Sequence, residues 1–466
     1  AGGCGRTEGF VYAGKNLSPM SKTHYSTRLS AYLLISAGIF LTIILCHSIC
    51  RDLHLREDYP GDLRNRVVGA RLQKDGKLPY HYHWAPGDGP RYWGAGNCNQ
   101  PPESGNKITA SPFFHELLFP ICDFSFLTIS WIWLLLQYIM LGGMIFIFCR
   151  FTNNRLKRIL LIATGVLFTA TEAWKSLISD GQLYFFVAFL MCLILAGLIR
   201  NRKSSILIAG ICAAAFVLNR PIALVMFIPF IFQWKKYKLF LITAFSGLFI
   251  YGMFVLFVPS ENALWKDYAL AVKAHVAMHQ AEENPGMEKP TPCPVADMEG
   301  FSLAGIDRSQ TEHPIKVYVE NGNVFVIYQL ILHRKMPLAV LNMLSLLTVF
   351  LLTVIYVYVF RKHPISLIQT LIFGFTLYML VEIFNPIHRI QYNTTQWLPI
   401  VMAGILFIEN RRSLPFLLLI AGLVLNISNT TWIPMRHTLG EICWLTGLLL
   451  IVYFRNPNHI LWKQPS

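Results

Sequence analysis

Residues 56–71, REDYPGDLRNRVVGAR, set Glu57, Asp58 and Asp62 among Arg56, Arg64, Arg66 and Arg71, directly after a long apolar run. Carboxylates beside guanidiniums at the mouth of an apolar bundle have two readings. One is a solvated helix start whose charges pair with their neighbours. The other is a general base, Asp62 or Asp58, that takes a proton from a hydroxyl while arginines hold an anionic group. Three more clusters carry possible chemistry. In SDGQLYFF, 179–186, Asp180-Gly181 is a turn signal, and Gln182 carries an amide towards the bundle, where a polar group needs a partner. FNPIHRIQYNTTQW, 384–397, places His388 and Arg389 in one turn, which is either merely hydrated or able to hold a phosphate by charge and hydrogen bonds. HVAMH spaces His275 and His279 one helical turn apart. No Glu follows the first His and no third ligand is evident, so no metal is expected.

The elements that position these residues belong to a membrane protein. The chain of 466 residues is 54% hydrophobic and 14% charged, where a soluble domain carries roughly 25% charge. Its mean hydropathy is +0.46. Apolar stretches fall at 29–50, 124–149, 157–178, 182–199, 204–218, 221–234, 239–258, 337–360, 364–383, 394–409, 413–428 and 438–454. With about 20 residues needed per crossing, the expected fold is an all-α polytopic membrane protein of about twelve spans. The stretches 204–218 and 221–234 are short, and form either two tilted helices or one broken pair. Alternate turns hold 14 basic residues, from Arg150 to Arg412, while the other short turns hold only Lys175, Arg220, Arg389 and Arg436. This asymmetry puts both termini in the cytoplasm and the long loops 51–123 and 259–336 outside. The net charge of +15 is therefore topological, and no nucleic-acid partner is expected.

Residues 1–28 form the N-terminal segment, of which 1–19 are Gly-rich and precede Met20; we expect the natural start at Met20. Residues 29–466 then make one membrane domain. Within the first outer loop, Leu63, Val67 and Ala70 recur at helical spacing, with Asp62 as expected N-cap and Gly76 as expected C-cap. The basic residues around that stripe suggest an amphipathic helix on the membrane surface. Ten cysteines are scattered without CxxC spacing; Cys98, Cys122 and Cys293 fall in polar segments, where a disulfide is feasible but its pairing unreadable. GxSxG, P-loop and Rossmann patterns are lacking, and no cofactor is expected.

DLRNRVVGARLQKDGKLPY, GQLYFFVAFL, AGICAAAFVLNRPIALVMFIPFIF and HRIQYNTTQWLPI, in that order, resemble segments of the GT-C superfamily of polytopic glycosyltransferases, and family 87 in particular, the polyprenol-phosphate-mannose-dependent mannosyltransferases. The resemblance implies a GT-C type fold. It also implies inverting transfer of a sugar, mannose by default, from a polyprenyl-phosphate donor to a glycolipid or glycan acceptor on the outer side of a bacterial inner membrane. Carried over residue by residue, the first-loop base is Asp62, with Asp58 as fallback, and the late-loop histidine is His388. Arg64, Arg66, Arg220 and Arg389 are the candidate donor-phosphate ligands, and Asp180 and Gln182 line the same cavity. Arg64 and Arg66 stand where the family usually has tyrosines, which leaves sugar and acceptor open. Membrane lipids are the remaining expected partners. The competing classes are a secondary transporter or lipid flippase, which would place charges at mid-membrane depth, and a polysaccharide polymerase or ligase, which would favour arginine-rich later loops.

Overall fold

The computed structural model describes residues 20–55, 60–82, 84, 86–93, 108–281, 299, 322–362, 365–387, 389–428, 433 and 435–453. Among these residues the regular structure is helical. The helices are α1 (Met20–Leu55), α2 (Gly61–Lys74), α3 (Pro112–Leu118), α4 (Phe126–Arg150), α5 (Arg155–Phe168), α6 (Glu172–Asp180), α7 (Tyr184–Arg200), α8 (Lys203–Asn219), α9 (Ile228–Phe232), α10 (Trp234–Phe257), α11 (Pro259–Ala281), α12 (Val324–Leu332), α13 (Leu338–Lys362), α14 (Leu367–Ile383), α15 (Leu398–Phe407), α16 (Leu414–Ile427) and α17 (Arg436–Tyr453). Short 3-10 turns at Pro79–His81 and Pro90–Tyr92 follow α2, and longer 3-10 stretches at Pro221–Phe227 and Gln391–Trp397 lead into α9 and α15.

Every apolar stretch of the sequence carries helix, but length separates them. Four helical segments are long and apolar enough to cross a membrane: Leu34–Leu55, Phe126–Arg150, Trp234–Phe257 and Leu338–Arg361. Helices α6 and α7 meet the same test only as a pair, bent by 115°. The stretch 157–178, expected as one span, is two helices. The Thr169 hydroxyl donates back to Val166 O at 2.7 Å, and Thr171 caps α6 by accepting from Trp174 N at 3.2 Å. Threonines that bond the local backbone favour helix ends over helix interiors. The stretch 221–234 is broken in the same sense, its first half wound as 3-10 helix behind Pro221.

The interior is one large apolar cluster centred on α4, α7, α8, α14 and α15. Buried ions pin the elements to it. Asp52, at the end of α1 and fully buried, accepts from Tyr138 OH and Trp174 Nε1, each at 2.7 Å, and pairs with Arg51 at 2.7 Å. A buried carboxylate requires several donors of this kind to be tolerated.

Helix α2 departs from its sequence reading. It does not show one apolar face inward and its arginines outward: Leu63, Val67 and Ala70 are buried, and so are Arg64 and Arg71. It is sandwiched by α3, the two 3-10 turns, α4 and α6. Gly69 permits the contact with α3, since a Cβ there would strike the His115 ring. The caps also differ from expectation. Pro60 occupies the N-cap position and Asp62 lies inside the first turn, while Asp75 is the C-cap and Gly76 follows it with φ +72°.

Candidate active site

Asp62 leaves the first turn of α2 towards the corner between α6 and α7. That corner is built by Gly181, whose φ of +66° ends α6 in the left-handed region. A Cβ at Gly181 would collide with Leu63, so glycine also brings α6 and α2 together. The next residue, Gln182, is 1% exposed and donates from Nε2 to Asp62 Oδ2. Its Oε1 accepts from Arg66 Nη2 at 2.5 Å, and Arg66 Nη1 reaches Gly181 O at 3.3 Å. Asp180, at the same corner and outside the four long helices, accepts from the Ser176 hydroxyl at 3.1 Å. Burial, and then the charge of Asp62, push its carboxyl above the usual carboxylate range.

Beyond this corner stands an aromatic pair. Tyr184, at the start of α7, stacks on Tyr392 of the 391–397 stretch, with centroids 5.1 Å apart and rings 19° from parallel. Burial raises the Tyr392 hydroxyl well above its ordinary value, and the charges of Asp62 and Asp180 add to the shift. Arg220 lies over the Tyr184 ring at 5.0 Å and contacts its hydroxyl at 3.5 Å. Its Nη2 pairs with Glu382 Oε1 of α14 at 2.6 Å. The Arg220 side chain is 22% exposed and Glu382 1%. Arg220 Nε and Glu382 Oε2 are buried without hydrogen-bond partners among the described residues. Tyr268 of α11 also feels the Arg220 charge and continues through Tyr80 (5.6 Å) to His115 (5.9 Å). Burial holds the His115 imidazole neutral, its pKa lowered to about 3.

The structure thus brings Asp62, Arg66, Asp180 and Gln182 to one corner, and sets Arg220 against Tyr184 of the adjoining stacked pair. It takes two other candidates elsewhere. Arg64 donates to Trp93 O at 2.7 Å, pairs with Glu299 at 3.0 Å and lies over Phe126 at 5.1 Å. Arg389, 1% exposed, grips Glu441 of α17 with both terminal nitrogens, and Thr394 Oγ1 donates to the same carboxylate at 2.6 Å. Asp58, His388, Cys98, Cys293 and the side chain of His279 lie outside the described residues. Sequence reasoning passed over Tyr184, Tyr392 and Glu382. The signal for Glu382 was present: a lone carboxylate in the apolar run LYMLVEIF marks a functional position by default.

A carboxylate bonded to a buried amide, beside a stacked aromatic pair and an arginine–glutamate ion pair, is set here in a helical membrane protein that has helices of membrane-spanning length. Residues 109–289 match the family model described as glycosyltransferase family 87. The resemblance read from the sequence is thereby upheld, and the match indicates a glycosyltransferase. It spans less than half of the chain, containing Asp180, Gln182 and Arg220 but not Asp62. No curated protein and no solved structure matches the chain.

Proposed function

We propose that this protein transfers a sugar, mannose by default, from a polyprenyl-phosphate donor to a hydroxyl of a glycolipid or glycan acceptor, with inversion, on the outer face of the membrane. Asp62 acts as general base and Arg220 holds the donor phosphate. The observation that carries the reading is that Arg220 lies over Tyr184, whose stacked partner Tyr392 is within reach of the Asp62 charge.

The chemistry balances with these residues alone. The acceptor oxygen attacks the anomeric carbon, its proton passes to Asp62, and the carbon–oxygen bond to the phosphate breaks. The leaving phosphate carries off the electron pair, and the Arg220 guanidinium offsets its charge. A positioned base contributes about 10²–10⁴-fold, and one donor on the developing anion about 10²–10³-fold. Arginine suits the second task because its planar fork matches phosphate. A lipid-linked donor approaches from the bilayer, which explains why the site sits beside helices of spanning length. The basic-residue asymmetry supports cytoplasmic termini and an outward-facing site at about twelve crossings. Broken and short helices, packed between the four long ones, would then complete the remaining crossings.

The test is direct: purified protein in lipid is given radiolabelled polyprenyl-phosphate sugars and membrane acceptors, and product is sought. Transfer from such a donor supports the proposal. Transport of an unmodified lipid or solute without transfer would replace it with the carrier reading.

A further inference from the structure

We propose that Gln182, oriented by Arg66, is a positioning residue that presents Asp62 to the acceptor as a carboxylate with Oδ1 as the reacting oxygen. This rests on the assignment of Asp62 as base.

The argument starts from what each group is able to do. An arginine has only donors. Gln182 must therefore turn Oε1 to Arg66, where the 2.5 Å contact lies, and its Nε2 then faces Asp62. An amide N–H needs an acceptor, so Oδ2 is held unprotonated: a proton placed there would meet another proton. Proton uptake is left to Oδ1, which no hydrogen bond from a described residue engages. The direction of the relay, Arg66 to Gln182 to Asp62, is thus fixed at one end by the chemistry of the guanidinium.

The spacing explains why an amide stands between the charges. Asp62 and Arg66 are one turn apart on α2, an arrangement that favours a direct ion pair. No ion pair joins them among the described residues. Gln182 enters between them, locked by Gly181 against Leu63. A direct bidentate pair would fix the carboxylate but occupy both oxygens and weaken it as a base. The interposed neutral amide fixes one oxygen and leaves the other open. Among the described residues, the titratable and charged groups that meet Asp62 are Arg66 on its own helix, Asp180 from α6 and Tyr392 from the 391–397 stretch.

Three variants test the relay through the pH profile of kcat/KM in the transfer assay. Gln182→Glu keeps the size and still accepts from Arg66, but sets a second carboxylate against Asp62. The acid limb is expected to move up by about one pH unit, since like charges disfavour ionisation. Gln182→Ala removes the spacer and lets Arg66 close on Asp62. The acid limb then moves down, and the plateau rate falls at least ~10-fold because the base is weaker and both its oxygens are engaged. Arg66→Met leaves Gln182 itself in place, losing only the long 3.3 Å bond to Gly181 O besides the contact with the amide, and serves if the Gln182 variants do not fold. With the amide no longer oriented, its acid limb moves up. Profiles that superimpose on the parent in all folded variants, with changes only in KM or yield, overturn the relay. Asp62→Asn, run beside them, separates the two levels. If it is inactive while the relay variants keep the parent profile, only the positioning role falls. If it turns over like the parent, the base assignment itself falls.

Discussion

The two sides of helix α2 carry the same chemistry and put it to opposite uses. On one side, Arg64 and Arg71 close upon Glu299, a residue more than two hundred positions further along the chain. Arg71 donates to Cys122 O (2.6 Å), Arg91 O and Phe124 O (each 2.8 Å) and to both oxygens of Glu299 (2.7 and 3.0 Å), so all three of its nitrogens are engaged. Glu299 in turn accepts from Phe126 N at 2.8 Å, at the start of α4. These charges hold the carboxyl of Glu299 below its ordinary value. On the other side, Asp62 and Arg66 meet Gln182, remain partly exposed, and leave polar atoms without partners, among them Arg66 Nε. A charge that is fully coordinated fastens elements together. A charge left partly coordinated is available to a substrate. Residue type does not distinguish the two cases, but on α2 exposure does: Arg64 and Arg71 are buried, Asp62 and Arg66 only partly.

The contrast is broken most sharply at Asp62. Replacement by Asn leaves the shape of α2 intact, and the helix does not depend on it as a cap, because Pro60 holds that position. Folding and thermal stability are expected to stay near the parent, while turnover in the transfer assay falls about 10²–10⁴-fold. A variant with parental turnover removes the functional side of the comparison altogether.

The opposite outcome is expected at Arg71. Changing it to Met takes from Glu299 one of the two guanidiniums that pair with it. Removing one partner of a buried pair costs about 3–5 kcal/mol. The thermal midpoint should drop markedly in detergent, yet the molecules that remain folded should keep their kcat. If kcat collapses with unchanged stability, the charges on that side are functional too and the contrast is wrong.

These two sites also show what the sequence made legible. The repeat of Leu63, Val67 and Ala70 disclosed α2 and one buried face, because a single apolar stripe imposes helical periodicity. It did not disclose the second buried face. Arg64 reads as a phosphate ligand and Arg71 as part of a polar outer face because their partner lies on another loop, and pairing between distant segments leaves no periodic trace. Arg389 misled for the same reason, since Glu441 completes it from α17. Asp62, Asp180, Gln182 and Arg220 were found as polar residues at the ends of apolar runs, where an unsatisfied group stands out. The twelve apolar stretches were legible by composition. The break at Thr169–Thr171 was not legible, because hydropathy is blind to caps, while the short stretches around Pro221 left a broken pair open without disclosing the 3-10 winding.

Arg220 sharpens the comparison, since it combines the two roles. Glu382 engages one nitrogen and Tyr184 approaches another, while Nε is buried without a hydrogen-bond partner among the described residues. Arg220→Lys keeps the charge and the link to Glu382 but loses the planar fork. Donor KM is expected to rise about 10–100-fold, the equivalent of one charge-assisted hydrogen bond at about 1.5–3 kcal/mol, with a smaller change in stability. Equal donor KM in the two proteins would assign Arg220 to the fastening class with Arg71.

The smallest effect belongs to Asp180, which stands beside Asp62 without joining the relay. Its carboxyl is shifted upward by burial and by the Asp62 charge. The folded state therefore binds a proton more readily than the unfolded chain does. Stability accordingly falls as pH rises from the ordinary carboxylate range, about pH 4, through the raised value. Asn is the neutral isostere of the protonated acid. Asp180→Asn should match the parent below that window and be slightly more stable above it, so its thermal midpoint should vary less with pH. Turnover at neutral pH should change by no more than a few-fold, because the base and the anion site are left in place. If the variant instead loses as much turnover as Asp62→Asn, the proton travels through both carboxylates. The open side of α2 would then work as a coupled pair in place of a single base held by an amide.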